Sequence, residues 1–125
     1  MTRILLVDDH DDVRRTARKV LADALDDLTF GEANSAASAV ALVASEAWDV
    51  VLLDLSLPDR GGLDTLREIR RLRPALPVVV MSFNPEKEYA GAARAAGAAG
   101  YVTKGSSAHV IASTVARALA TASSG

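Results

Sequence analysis

The chain has 125 residues, half of them hydrophobic, and a formal net charge of -2, which fits one domain around a single layered core. Cysteine is absent, excluding disulfides, thiolate zinc sites, iron-sulfur clusters and a cysteine nucleophile. There is no basic block to track a nucleic-acid backbone, no apolar run longer than a strand, and only four apolar residues between Arg3 and Asp8; the expectation is a cytoplasmic chain that neither enters a membrane nor binds DNA by itself.

The first strand is predicted over residues 3–7 (RILLV) and runs into the acidic stretch Asp8-Asp9-His10-Asp11-Asp12. Val13, Thr16, Ala17, Val20, Leu21 and Ala24 form a helical stripe, with Asp11 and Asp12 placed to stabilise its N-terminus. A weaker strand covers 28–32 (LTFGE). A second helix follows through Ala36, Val40, Val43, Ala44 and Ala47, with Asn34 as its cap. The third strand, 49–53 (DVVLL), precedes Asp54 and a turn shaped by Pro58 and Gly62; Leu63, Leu66, Ile69 and Leu72 then mark a third helix.

The fourth strand is 77–81 (PVVVM), ending at Ser82. The helix after it, 86–98, is alanine-rich and lightly packed, with Tyr89 its one large anchor, Asn84 before Pro85 as its cap, and Gly97 and Gly100 as its exit. Its Gly91 costs about 1 kcal/mol relative to alanine, so this helix is expected to be the most easily displaced. Strand 99–103 (AGYVT) leads to Lys104 and a last helix with Val110, Ile111, Thr114, Val115, Ala118 and Leu119 inward and Ala112, Ser113, Ala116 and Ala120 exposed.

Strands without consistent alternation, separated by amphipathic helices, predict an α/β fold: a five-stranded parallel sheet with helices on both faces. Ligands in such sheets sit at the carboxyl ends of the strands, where Asp8, Asp9, Asp54, Ser82 and Lys104 would gather. Three carboxylates in one place call for a cation, and oxygen donors suit Mg2+ or Mn2+ better than zinc. The carboxylates account for the ion without His10, which reads as a loop residue, and His109 reads as a surface or partner-facing residue on the last helix.

The blocks VDDHDD, LLDLSLPDRGG, VVVMS and GYVTKG, in that order, resemble the receiver (response regulator) domain of two-component signalling over residues 3 to about 120. The resemblance implies the (βα)5 flavodoxin-like receiver fold over 1–120, with 121–125 as a linker or frayed tail. It implies that Asp54 takes a phosphoryl group from a histidine kinase or phosphotransfer protein, and that Asp8, Asp9, Asp54 and the Ser56 backbone carbonyl hold Mg2+. Ser82 matches the residue that hydrogen-bonds the phosphoryl group, Lys104 the lysine that pairs with it, and Tyr101 the aromatic switch position. The domain would catalyse its own phosphorylation and dephosphorylation without being a turnover enzyme.

Three positions depart from the family pattern: Leu57 stands for a methionine, Phe83 for a small residue, narrowing access to Asp54, and Gly105 for a proline, so that no cis bond is assumed there. The stretch from Met81 to Ser107 most resembles receivers joined to a helix-turn-helix output domain of the LuxR/NarL-like kind, so DNA would be reached only through an output domain absent from this sequence. The small residues of the last helix suit a homodimer. Two rival readings are a Mg2+-dependent phosphohydrolase, which would need a second carboxylate where Ser56 stands, and an interaction module that signals without phosphate.

Overall fold

Apolar runs rich in valine and leucine become the strands and the amphipathic stripes become the helices, in strict alternation: β1 (Thr2–Val7), α1 (Asp11–Ala24), β2 (Leu28–Ala33), α2 (Ala36–Ser45), β3 (Val50–Asp54), α3 (Gly62–Leu72), β4 (Val78–Ser82), α4 (Glu86–Ala95), β5 (Gly100–Thr103) and α5 (Ala108–Ser124). The computed structural model describes residues 1–83 and 86–124, and of 86–89, 123 and 124 the backbone only. Every strand pair is parallel, in the order β2-β1-β3-β4-β5. Each predicted strand overlaps the observed one, with ends displaced by at most one residue.

The missing alternation in β3 and β4 has a direct cause: all their residues are buried, because helices cover both faces of the sheet. Leu5, Val7, Val51, Leu53 and Val80 point to one layer with Val43, Leu66, Ile69 and Ala93. Ile4, Leu6, Leu52 and Met81 point to the other with Leu21, Ile111 and Val115. Among the described residues no helix is long and apolar enough to cross a membrane.

Three local expectations are corrected. The cap of α2 is Ser35, not Asn34: Ser35 is extended and its hydroxyl accepts from the Ser38 N–H at 3.1 Å, one residue later than the sequence alone placed the turn. α4 ends at Ala95, short of Ala98, because Gly97 turns at φ +106° while its N–H and that of Ala98 close back on the Arg94 and Ala93 carbonyls at 3.0 and 2.9 Å. In α5, Ala112 is buried rather than exposed, while Val110 is 43% exposed; α5 packs on both the sheet and α1, which turns the helix away from the face inferred from its stripe. Ser113 and Ala116 are half-buried and Ala120 is exposed. The cap assigned to Asn84 and the Tyr89 anchor lie outside the described residues.

The loop between β3 and α3 is tied down at both ends. Gly62 opens α3 so close to Leu55 that a Cβ there would stand 2.4 Å from the Leu55 Cα. Asp59, in the same loop, accepts the N–H groups of Ala36 and Ala37 at 2.9 and 3.1 Å, adding a second cap to α2 from outside the helix. At the other end of α2, Arg73 donates to the Val43 and Ala44 carbonyls at 3.1 and 3.2 Å.

Gly62→Ala is expected to lower stability by about 1–3 kcal/mol, since the added carbon meets backbone that must move; urea unfolding checks this, and an unchanged midpoint would contradict the packing. The two amide hydrogen bonds hold the Asp59 carboxyl below its usual value. Its contribution is therefore full above the unfolded carboxylate range near ~3.9 and is lost as pH falls through the depressed folded value. Asp59→Asn should lower Tm by a constant amount between pH 5 and 7 and by a shrinking amount below about pH 4; a gap that widens on acidification would reverse the assignment.

Candidate functional site

The parallel register brings chemistry to the carboxyl edge. Val7 pairs with Leu53, Asp54 with Met81 and Ser82 with Thr103, so the next residues of β1 and β5 are Asp8 and Lys104. Backbone pairing runs one residue past the strands: Asp8 N–H donates to Ala33 O at 3.1 Å, Leu55 N–H to Met81 O at 3.2 Å and Lys104 N–H to Ser82 O at 2.6 Å. The side chains are thus launched from fixed backbone. Asp8, Asp54 and Ser82 are buried at 5%, 1% and 0% exposure, whereas Asp9 and His10 face solvent.

Lys104 lies between the two buried carboxylates, with Nζ 2.8 Å from Asp8 Oδ2 and 3.2 Å from Asp54 Oδ1. These are ion-pair distances, although neither approach has hydrogen-bond alignment. Asp54 Oδ1 also accepts the Ser56 N–H at 2.9 Å, but Asp54 Oδ2 is fully buried with no partner. Such a bare acceptor costs about 1–3 kcal/mol or more when charged. Burial pushes the Asp54 carboxyl up; the Ser56 N–H offsets part of this, the Asp8 charge adds to it and Lys104 opposes it. Burial also acts to raise Asp8, but the adjoining Lys104 ammonium and the His10 backbone N–H and imidazole at Asp8 Oδ1 together outweigh it and hold Asp8 below its usual value.

One donor atom each from Asp8, Asp9, His10 and Asp54 lies within 4.8 Å of all the others, a spacing that could hold a metal ion. The oxygen donors and the bare Asp54 Oδ2 fit a hard divalent cation such as Mg2+. His10 belongs to this group although the sequence reading set it aside; it follows the acidic pair directly, and that adjacency was the available signal. Also missed was Arg14, one turn into α1, which donates to the Asp8 backbone carbonyl and pairs with Asp11 and with Glu32 at 2.9 Å.

Around this centre, Phe83 is 66% exposed and its ring centroid lies 4.8 Å from Lys104 Nζ. It walls a cavity of about 230 Å³ with Val13, Thr16, Met81, Lys104 and Ile111. Tyr101 is 7% exposed and packed in the core layer with Val80 and Ala90. Gly105 takes φ +93°, and no cis peptide occurs among the described residues.

The response regulator receiver domain family matches residues 4–116. The chain is 36% identical over 115 residues to the response regulator UvrY of Escherichia coli K12, covering 92% of this chain and 53% of UvrY. The chain spans about half the length of the curated relatives it matches. Its fold superposes on a LuxR-family two-component response regulator of an Aurantimonas species with TM-score 0.87 and 34% identity, covering 96% and 86% of the two chains. It superposes on the receiver domain of Brucella abortus NtrX with TM-score 0.84 and 34% identity, covering 94% and 98%. With its sequence matched along nearly its whole length and its strand order and carboxyl-edge carboxylates as described, the chain belongs to the response regulator receiver domain family of two-component signalling.

Proposed function

We propose that Asp54 is the phosphoacceptor of this receiver, and that the domain takes a phosphoryl group from a histidine kinase or phosphotransfer protein. The observation that carries the reading is the buried Asp54 carboxylate, one oxygen held by Ser56 and Lys104 and the other bare. An Asp54 oxygen attacks phosphorus, the phosphorus–nitrogen bond of the donor phosphohistidine breaks, and the imidazole keeps the electron pair and regains a proton from solvent. Negative oxygens crowd together in that step, so Lys104 is placed to neutralise the transferring group. Asp8, Asp9, Asp54 and the Ser56 carbonyl would hold the divalent ion, Mg2+ or Mn2+, which supplies further charge neutralisation when bound. The phosphoryl group goes onto the domain itself rather than onto a substrate that is released.

After transfer, the Ser82 hydroxyl donates to a phosphoryl oxygen, and the accompanying movement of the chain beyond β4 displaces α4. That helix lends itself to displacement, because the described side chains it buries are the small Ala90 and Ala93. Tyr101, packed beside Ala90 in the core, would read the shift as the aromatic switch, biasing an equilibrium between two states. Residues 1–120 would form the receiver, and 121–125, of which α5 includes all up to Ser124, would lead toward an output domain of the LuxR/NarL-like DNA-binding kind, in a cytoplasmic regulator of transcription. A homodimer through α5 is less supported because Ala112, one of its four small residues, is buried within the domain. The phosphohydrolase reading is disfavoured because the position two residues past Asp54 is Ser56, whose N–H serves Asp54 directly.

Intact mass after incubation with acetyl phosphate or phosphoramidate is expected to show one Mg2+-dependent phosphoryl adduct that Asp54→Asn abolishes. No adduct with either donor, nor with a competent kinase, would shift the reading to a phosphate-independent interaction module; sustained turnover of an external phosphoester would favour the hydrolase. Lys104→Met is expected to slow adduct formation by about 10²-fold while calorimetry still records Mg2+ binding. An unchanged rate would remove Lys104 from the charge-neutralising role.

A further inference from the structure

We propose that His10 is an additional ligand of the carboxyl-edge cation site and that it tunes the site toward imidazole-preferring divalent ions such as Ni2+ and Co2+. The inference rests on the reading of Asp8, Asp9 and Asp54 as cation ligands and goes beyond it to the identity of the ion.

His10 occupies the N-cap position of α1, where serine, threonine, aspartate or asparagine ordinarily accepts a backbone N–H, yet its side chain makes no capping hydrogen bond. The imidazole instead turns back over the acidic pair. Its Nδ1 lies 2.9 Å from Asp8 Oδ1 and 3.1 Å from Asp9 Oδ1. Ligands at adjacent corners of an octahedron with bonds of about 2.1 Å are separated by about 3.0 Å. Nδ1 and Asp8 Oδ1 are hydrogen-bond partners, and the same spacing from both carboxylates is that of a neighbouring ligand once Nδ1 carries no proton, with the Asp54 carboxylate within 4.8 Å of the set.

A second observation points to a ligand independently of this spacing. Asp54 is 99% buried, its Oδ2 is bare, and its carboxylate belongs to the same cluster as the imidazole. Three carboxylates alone make a hard site for Mg2+; adding an imidazole nitrogen raises affinity for first-row transition ions far more than for Mg2+. Coordination uses the Nδ1 lone pair, in the tautomer that carries hydrogen on Nε2. The half-exposed ring has room for that, since 52% of its side-chain surface is open to solvent.

The test is isothermal titration of the untagged chain with Mg2+ and with Ni2+, both octahedral ions, in His10→Ala, His10→Asn, His109→Ala and Asp54→Asn variants. His10→Asn restores a good capping residue, so a change common to both His10 variants does not come from a weakened α1. The expected result is Ni2+ affinity lowered by about tenfold or more in both His10 variants, Mg2+ affinity altered by less than about twofold, and His109→Ala indistinguishable from the parent. Equal losses for Mg2+ and Ni2+ would make His10 a positioning residue for Asp8 and overturn the proposal. Unchanged Ni2+ affinity, with Mg2+ binding present in the parent and lost in Asp54→Asn, would overturn the proposal alone. Absence of binding by either ion in the parent would overturn both this proposal and the cation reading beneath it.

Discussion

Two carboxylates and one ammonium sharing a nearly dry space is the condition that the rest of this fold serves. Removing such charges from water costs several kcal/mol each unless partners are held in good geometry, and removing one partner leaves the others exposed to that full penalty. Asp8 and Asp54 come from neighbouring strands, so their closeness follows from β1–β3 pairing. Lys104 comes from β5, two strands beyond β3, and only a long side chain can reach back across the end of β4 to both carboxylates. Ser82 lies beneath that path at the end of β4, fully buried. A shorter cation would not span the gap, and an additional strand would place it out of reach.

The surroundings of Asp54 are stiff on one side and soft on the other. Toward α2 and α3, the loop after Asp54 is held by the contact of Gly62 with Leu55 and by the two amide hydrogen bonds to Asp59. Toward α4, the described side chains at the buried face are the small Ala90 and Ala93, and Phe83 stands out into solvent over Lys104. A charge change at Asp54 therefore meets more resistance on the first side than on the second. A rigid flank is what converts a local electrostatic event into a displacement of the opposite flank rather than a diffuse relaxation.

Much of this was legible in the sequence because parallel strands buried on both faces leave dense valine and leucine runs, and each run here ends at or beside a polar residue with chemistry. Asp54 and Ser82 are the last residues of β3 and β4, and Asp8 and Lys104 follow β1 and β5 immediately. What sequence could not supply were facts of three-dimensional neighbourhood. Asp59 caps α2 across 23 positions of chain, which no local pattern encodes. Ser35 and Asn34 are both competent caps, and the exit of β2 decides between them. The buried arc of α5 was drawn too narrow because a stripe calculation knows of one neighbour, whereas α5 has two, the sheet and α1. In sequence terms the carboxylates suffice for the ion without His10, and only the fold turns its imidazole onto Asp8 and Asp9.

Lys104 follows the strand that is last in sequence and at the edge of the sheet, which sets an order of events during synthesis. Asp8 and Asp54 leave the ribosome well before β5, so a nascent chain that has paired β1 with β3 holds two carboxylates side by side with no lysine between them. Docking of β5 is what brings the ammonium into place between them. Completion of the sheet and completion of the site are therefore one step: a chain stalled or truncated before residue 104 lacks the charge balance of the finished domain as well as its last strand.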